Sequence, residues 1–144
     1  MNRPLNLPAD ELLALAGQCR EQGDPWQAVI HCRTVLSANE NHAEALVLLG
    51  RCLAATGDLP GAGHYLSRAI EIDPAQGPPY LHLGEVNAQI GRPREALRCF
   101  QHALQLQPGD VNTLNAYAVA LWGMGQLDEA RSLLQRALEV EPEN

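Results

Sequence analysis

The chain has 144 residues and a formal net charge of −7, and its apolar fraction of 46% is large enough to bury a sizeable core. All ten basic residues are arginine and are scattered along the chain, which disfavours nucleic-acid binding because no basic face is formed. No apolar run is long enough for a signal peptide or a membrane span, so we expect a cytoplasmic location and no membrane partner.

A fixed period organises the chain. The similar segments RAIEIDP, HALQLQP and RALEVEP begin at residues 68, 102 and 136, which are 34 residues apart. The same step separates Gly23, Gly57, Gly91 and Gly125, and also Ala28, Ala62, Ala96 and Ala130. Such a period indicates a repeat architecture. It predicts a lead-in at residues 1–8 and a single domain at 9–144, with repeats at 9–42, 43–76, 77–110 and 111–144.

Each repeat is predicted to hold two helices joined by a short turn. In repeat 2, apolar residues recur at helical spacing up to Thr56, and Gly57 follows as a stop signal. Asp58 suits the N-cap of the second helix, with Pro60 in its first turn. The second helices end before a proline, because the residue preceding a proline is pushed out of the helical region. These closing prolines are Pro74, Pro108 and Pro142.

Two glycines at the start of this second helix raise an alternative, a phosphate-binding loop. Gly61 and Gly63 are spaced as in such loops, but the third glycine and the preceding strand are lacking. We therefore expect a helix start at this point and no nucleotide.

The helical pair resembles the tetratricopeptide repeat (TPR), which has large apolar and small residues at set positions. Repeat 2 matches at Leu46, Leu49, Gly50, Leu53, Ala62, Leu66, Ala69 and Pro74, repeat 3 at Tyr80, Leu83, Gly84, Ala96, Phe100, Ala103 and Pro108, and repeat 4 at Leu114, Tyr117, Ala118, Leu121, Ala130, Leu134, Ala137 and Pro142. Repeat 1 departs from the pattern, since Cys19 and Cys32 replace bulky residues. The resemblance implies an all-α, right-handed α-solenoid of four helix-turn-helix pairs, in which Gly50 and Gly84 let first helices approach the alanines of second helices.

In the resembled family, the first helix of each repeat lines a concave groove that binds an extended peptide or a partner helix. Carried over by position, the groove residues are Leu13, Arg20, Val47, Arg51, Leu81, Glu85, Gln89, Asn112, Asn115, Val119 and Trp122. The clamp by which some members hold the C-terminal carboxylate of chaperones is missing, with Leu13, Gly17, Val47, Leu81 and Glu85 at its positions. The asparagine ladder of O-GlcNAc transferase repeats is also missing, with Ala14, Leu48, His82 and Ala116 in its place.

Trp122 has two possible roles in this groove. It can anchor a partner, because aromatic residues dominate interface hot spots. It can instead be a structural residue that packs over Gly123 and a missing fifth repeat. The sequence leaves both alternatives open.

Catalysis has little support in the sequence. The histidines form no H-E-x-x-H pair, and no serine lies in a G-x-S-x-G elbow. Cys99 and His102, three residues apart, could form a metal pair or an activated thiol, but no third ligand is evident, and two outer-face helix residues are the interpretation we favour. The four cysteines form no C-x-x-C pair and are expected to be thiols. We therefore expect no enzyme, metal or cofactor.

The sequence predicts a scaffold for protein or peptide binding, and the absence of lysine indicates a bacterial source. Two alternatives stay open: the N-terminal TPR region of a larger enzyme, such as a sulfotransferase or glycosyltransferase, and a self-assembling structural protein. The last helix bears on the second alternative, because its apolar residues exceed what its own pair can cover. These residues, Leu133, Leu134, Leu138 and Val140, predict a homo-oligomer through the C-terminal helix or a further covering segment.

Overall fold

The computed structural model describes residues 7–141. Over this range the chain forms eight α-helices and no strand, which confirms the predicted all-α class with two helices per repeat. The helices are α1 (Ala9–Glu21), α2 (Pro25–Ala38), α3 (Ala43–Thr56), α4 (Leu59–Ile72), α5 (Gly77–Ile90), α6 (Pro93–Leu106), α7 (Val111–Gly123) and α8 (Leu127–Val140). They group into two compact units, α1–α4 up to Ile72 and α5–α8 from Asp73 onward.

The first helix of each repeat stops at a left-handed glycine. Gly57 has a φ of 95°, and its N–H donates to the carbonyls of Leu53 and Ala54. A side chain would strain this backbone conformation, whereas glycine adopts it freely. Positive φ angles also occur at the three equivalent positions, Gly23, Gly91 and Gly125. The predicted stop signals are therefore confirmed.

Two of the second helices, α2 and α4, begin at a capping aspartate, and α2, α4 and α6 carry a proline in the first turn. The carboxylate of Asp24 accepts a hydrogen bond from the Gln27 N–H at 3.1 Å, and that of Asp58 accepts one from the Gly61 N–H at 3.0 Å. Gly61 thus belongs to a helix N-terminus capped by its own chain. The ends agree as well, because α4 and α6 stop two residues before Pro74 and Pro108. Pro142, the third predicted stop, lies outside the described residues.

Small residues allow close approach of the two helices of a repeat. A Cβ added at Gly50 would lie 2.7 Å from Leu66 Cγ and 3.2 Å from the carbonyl oxygen of Ala62. A Cβ added at Gly84 would lie 2.5 Å from Cε1 of Phe100. Approach to an alanine of the second helix, as expected, occurs at Gly50. At Gly84 the space is filled by an aromatic ring, because the larger Phe100 stands where repeat 2 has Leu66.

The core of the second unit continues through its last repeat. Leu104 of α6 packs with α7 and α8, in a cluster formed by Leu104, Leu114, Ala118, Leu121, Ala130, Leu133 and Ala137. Leu133 is therefore part of the core and does not add to the uncovered apolar surface of α8. Leu134, Leu138 and Val140 remain exposed, as expected.

Candidate functional site

In the second unit the first helices α5 and α7 contact each other. Most of the predicted groove residues on them are exposed: Glu85, Gln89, Asn112, Asn115, Val119 and Trp122. Val119 and Trp122 keep 71% and 64% of their surface open. Residues three apart are neighbours on a helix surface, so these two side chains form one apolar patch. Asn115, four residues before Val119, extends the patch with an amide.

The exposure of Trp122 follows from the orientation of α7. Leu114, Ala118 and Leu121 recur at helical spacing and are buried against α6 and α8. Val119 and Trp122 each follow a buried residue, so they lie about 100° further around the helix, away from the core. Trp122 therefore does not pack within the described residues, and its open surface suits both a bound partner and a further repeat.

The electrostatics of the α5 and α7 surface are simple. Glu85 is the one carboxylate within these two helices, and neither helix contains arginine. His82 Nδ1 lies 3.3 Å from Glu85 Oε2, and it can donate to that oxygen when the proton is on this nitrogen. Two amide side chains, Asn112 and Asn115, are exposed along α7. The surface therefore combines an apolar patch with amides and one negative charge.

In the first unit the first helices α1 and α3 also contact each other. Their predicted groove residues Arg20, Val47 and Arg51 are half-buried. The Nε of Arg20 is buried and makes no hydrogen bond within the described residues. Burial raises the pKa of Cys52, and the positive charges of Arg20 and Arg51 partly oppose this rise. The two guanidinium groups therefore place local positive charge beside Cys52, whereas α5 and α7 contain no arginine.

Two predicted groove residues are buried. Leu13 and Leu81 belong to the cores of their units and are only 6% exposed. Each lies three residues before a buried small residue, Ala16 or Gly84, at the border of the buried face. An apolar side chain at this border turns inward, whereas Asn115, the equivalent residue of repeat 4, is polar and stays exposed. Neither leucine offers an open contact surface.

Cys32 and Cys99 are poorly suited to nucleophilic chemistry. Burial raises the pKa of Cys32 to about 12, with a smaller contribution from Cys52. Burial also raises the pKa of Cys99, although a hydrogen bond from Asn87 Nδ2 at 3.7 Å opposes the rise. An activated thiol requires the opposite shift.

The Cys99 and His102 pair also faces the neighbouring helix. Cys99 is half-buried against Asn87 of α5, so its predicted place on the outer face is wrong. His102 stacks on the Tyr80 ring of the same helix, with 4.5 Å between centroids and parallel planes. Within residues 7–141, no group of three or more histidine, cysteine, aspartate and glutamate side chains is placed to hold a metal ion.

Two exposed apolar residues of α2 were not predicted from the sequence. Trp26 and Ile30, four residues apart on α2, are both exposed, and Trp26 is 65% open. At the same positions the other three repeats carry Pro60, Arg94 and Asp128, and His64, Arg98 and Ser132. A comparison of equivalent positions would therefore have revealed two unusually apolar residues on the surface of repeat 1.

Two models of the tetratricopeptide repeat match the chain, one over residues 20–85 and the other over residues 78–141. The uncharacterized protein y4yS of Sinorhizobium fredii is 35% identical over 122 residues, which is 76% of this chain and 64% of that protein. The chain covers 9%, 64% and 35% of the length of the first three curated relatives that it matches, which is less than two thirds in every case.

Solved structures agree with this match. MamA superposes with a TM-score of 0.79 at 25% identity, over 94% of this chain and 79% of that one. An O-GlcNAc transferase of Thermobaculum terrenum superposes with a TM-score of 0.76 at 29% identity, over 78% of this chain and 22% of the enzyme. These similarities confirm the predicted α-solenoid fold class. No helix among residues 7–141 is long and apolar enough to cross a bilayer.

Proposed function

Because the chain belongs to the tetratricopeptide repeat family, we propose that it is a protein-interaction scaffold that binds a peptide or partner helix on the first helices of its repeats. The observation that carries the proposal is the exposed pair Val119 and Trp122 on α7. Protein or peptide partners agree with the family and the fold. We also propose a cytoplasmic location in a bacterium, on the basis of composition.

The chemistry of the α5 and α7 surface suits an extended peptide or a helix with a bulky apolar side chain. Trp122 provides a large rigid contact area with a polar N–H at its edge, and Val119 enlarges that area. The amides of Gln89, Asn112 and Asn115 both donate and accept, so they can pair with a peptide backbone. Glu85 favours a basic residue in the partner.

The first unit has a different preference. Arg20 and Arg51 on α1 and α3 supply positive charge beside the apolar side chain of Val47. Guanidinium groups bind carboxylates through charge-assisted hydrogen bonds. We infer that acidic groups of a partner bind to this unit.

The test compares two tryptophans of equal exposure. A peptide is selected from a random library on the wild-type chain, and its affinity is then measured by calorimetry for Trp122→Ala and for Trp26→Ala as the matched control. We expect Trp122→Ala to weaken binding by more than about 1 kcal/mol, roughly fivefold, because a hot-spot aromatic is removed. The control should bind as the wild type does. Unchanged affinity in Trp122→Ala, or an early loss of helicity, would contradict the proposal.

A second candidate is that the chain serves as the repeat region of a larger enzyme, such as a sulfotransferase or glycosyltransferase. The similarity to a segment of an O-GlcNAc transferase favours it. Ala14, Leu48, His82 and Ala116, which replace the asparagine ladder, argue against the same use of the repeats. The full open reading frame at the genomic locus decides: a catalytic domain in frame supports this candidate, and a stop codon directly after Asn144 refutes it.

We also propose self-association through α8. Leu134 and Leu138 on this helix are exposed apolar side chains, and burying them in an oligomer would be favourable. Light scattering over a concentration series tests this proposal. A mass that rises with concentration supports it, and a constant monomer mass refutes it.

A further inference from the structure

Four exposed residues of α7 form one stripe along the helix. Asn112, Asn115, Val119 and Trp122 are all exposed, and successive members are three, four and three residues apart. At about 100° per residue, these spacings keep the four side chains within about 80° of the helix surface. This α7 stripe is polar at the N-terminal end of the helix and apolar at the C-terminal end.

The apolar end of the α7 stripe lies at positions that a following repeat leaves open. The positions of Val119 and Trp122 correspond to two residues of α5 that stand 34 residues earlier, Glu85 and Ala88. Both are exposed, although α7 and α8 follow them and α7 contacts α5. A further repeat after α8 would therefore not by itself cover Val119 and Trp122. This comparison favours a bound partner as the cover of the stripe.

The residues beside the α7 stripe are small. Ala116 and Ala120 lie next to it on the helix, and Gly123 follows Trp122. A Cβ added at Gly123 would meet no atom within 4 Å. The distance between two packed helices depends on the side chains at their contact, and small ones permit a close approach. The surface beside Trp122 can therefore accept a second helix.

We propose that the α7 stripe binds one amphipathic helix of a partner protein, with basic residues along the borders of its apolar seam. This inference rests on the proposed function and names the partner class. The a and d residues of a helical seam recur at spacings of three and four, as the residues of the stripe do. Large apolar side chains of the partner contact Val119 and Trp122, and a polar one pairs with Asn115.

An extended peptide matches the α7 stripe less well. The residues of the stripe are about 4.5–6 Å apart along the helix axis, because each residue adds about 1.5 Å. Side chains on one face of a strand are about 6.6 Å apart. The mismatch accumulates over the four residues, whereas a second helix keeps the same spacing throughout.

Charge complementarity indicates the basic borders of the partner helix. α7 itself contains no charged residue. Glu85 is exposed on α5, which contacts α7, and Asp128 and Glu129 are exposed in the first turn of α8. Over residues 73–141, carboxylate residues outnumber arginines by eight to five. Basic residues beside the seam of the partner therefore meet opposite charge, which raises specificity and the rate of association.

The probe for this helix is a synthetic peptide of three heptads. It carries leucine at a and d, one asparagine at the central a position, and lysine at e and g, where like charges oppose its pairing with itself. Calorimetry compares this lysine probe with a version that has glutamate at e and g and with a version that has a central proline. We expect both versions to bind at least about tenfold more weakly, because glutamate meets carboxylates and proline breaks the helix.

The close approach is tested by Gly123→Gln, which installs the residue that repeat 3 carries at this position, Gln89. Gly63→Gln is the matched control, because Gly63 lies within α4 and an added Cβ there also meets no atom within 4 Å. We expect Gly123→Gln to bind the lysine probe about tenfold more weakly, since its side chain holds the partner helix away. The control should bind as the wild type does, and circular dichroism should show equal helicity in both variants.

The outcomes separate this inference from the proposed function. A lysine probe that fails to bind, equal affinity for the proline version, or unchanged affinity in Gly123→Gln overturns the helical partner. Equal affinity for the glutamate version overturns its basic borders. The proposed function survives these results if a library-selected peptide still loses affinity in Trp122→Ala, and it fails with them if no peptide depends on Trp122.

Discussion

Gly50 and Gly84 each lie in the middle of a first helix, where a side chain would collide with the second helix of the same repeat. At Gly50 the nearest atom is Cγ of Leu66, and at Gly84 it is an edge carbon of the Phe100 ring. Phe100 is buried in a close-packed core, so its ring cannot easily move aside. Gly17, in contrast, lies within α1 with no atom near the position of an added Cβ. Substituting Gly84 and Gly17 by alanine therefore measures the cost of a steric clash separately from the gain in helix propensity.

We predict that Gly84→Ala lowers the free energy of unfolding by about 1–3 kcal/mol, because overpacking outweighs the gain of up to about 1 kcal/mol from replacing a helical glycine. Gly17→Ala, as the matched control, should raise the stability by up to about 1 kcal/mol. Urea denaturation followed by circular dichroism measures both. Equal stabilisation by the two substitutions would show that the repeat tolerates a methyl group beside Phe100.

The pattern of small residues predicted where the two helices of a repeat approach each other. It did not predict which atom of the second helix lies opposite each small residue. Gly84 and Gly50 occupy the same position, and the difference between them arises from the side chain opposite, Phe100 or Leu66. In the same way, the pattern could not decide between burial and exposure for Leu81 and Asn115, which share one position at the border of the buried face. Such border positions depend on tertiary packing, which local periodicity does not encode.

At the scale of elements, local chemistry accounts for the helix boundaries. Left-handed glycines end the first helices, and prolines follow the ends of α4 and α6 two residues later. These signals act within a few residues, so the sequence alone predicted them. The caps of the second helices differ, since Asp24 and Asp58 accept a backbone hydrogen bond while Arg92 of α6 does not.

We predict that Arg92→Asp stabilises the protein by about 0.5–2 kcal/mol, because it supplies the missing N-cap acceptor and a negative charge at a helix N-terminus. The reverse change, Asp58→Arg, removes a cap and should destabilise the protein by a similar amount. Thermal melts of the two variants and the wild type measure this. A fall in stability for Arg92→Asp would refute the assignment of this cap.

We further predict faster amide hydrogen exchange in repeat 1 than in repeat 3. Cys19 and Cys32 of repeat 1 stand at positions that repeat 3 fills with larger residues such as Phe100. Lower contact density favours local opening, which controls exchange. Exchange followed by mass spectrometry, on peptides from residues 9–42 and 77–110, compares the two. Equal protection would mean that the cysteines fill their places fully.

At the scale of the molecule, the structure divides into two compact units after Ile72. The 34-residue period of the sequence continues across this point without a break, so the sequence could not predict the division. We propose that residues 9–144 nevertheless unfold as a single domain, because repeats of one kind propagate folding to their neighbours. Pulsed hydrogen exchange at increasing urea monitors peptides of both units separately. Coinciding midpoints are expected, and midpoints that differ clearly would identify two domains.

Trp122 is proposed to contact a bound partner directly. The chain has two tryptophans, Trp26 and Trp122, so Trp26→Phe leaves Trp122 as the sole indole reporter. The measurement is a fluorescence titration of this variant with a library-selected peptide that lacks tryptophan. We predict a saturable shift of the emission to shorter wavelength, because the exposed indole is desolvated, with a midpoint equal to the calorimetric affinity. Binding by calorimetry without any change in the Trp122 emission would contradict the claim.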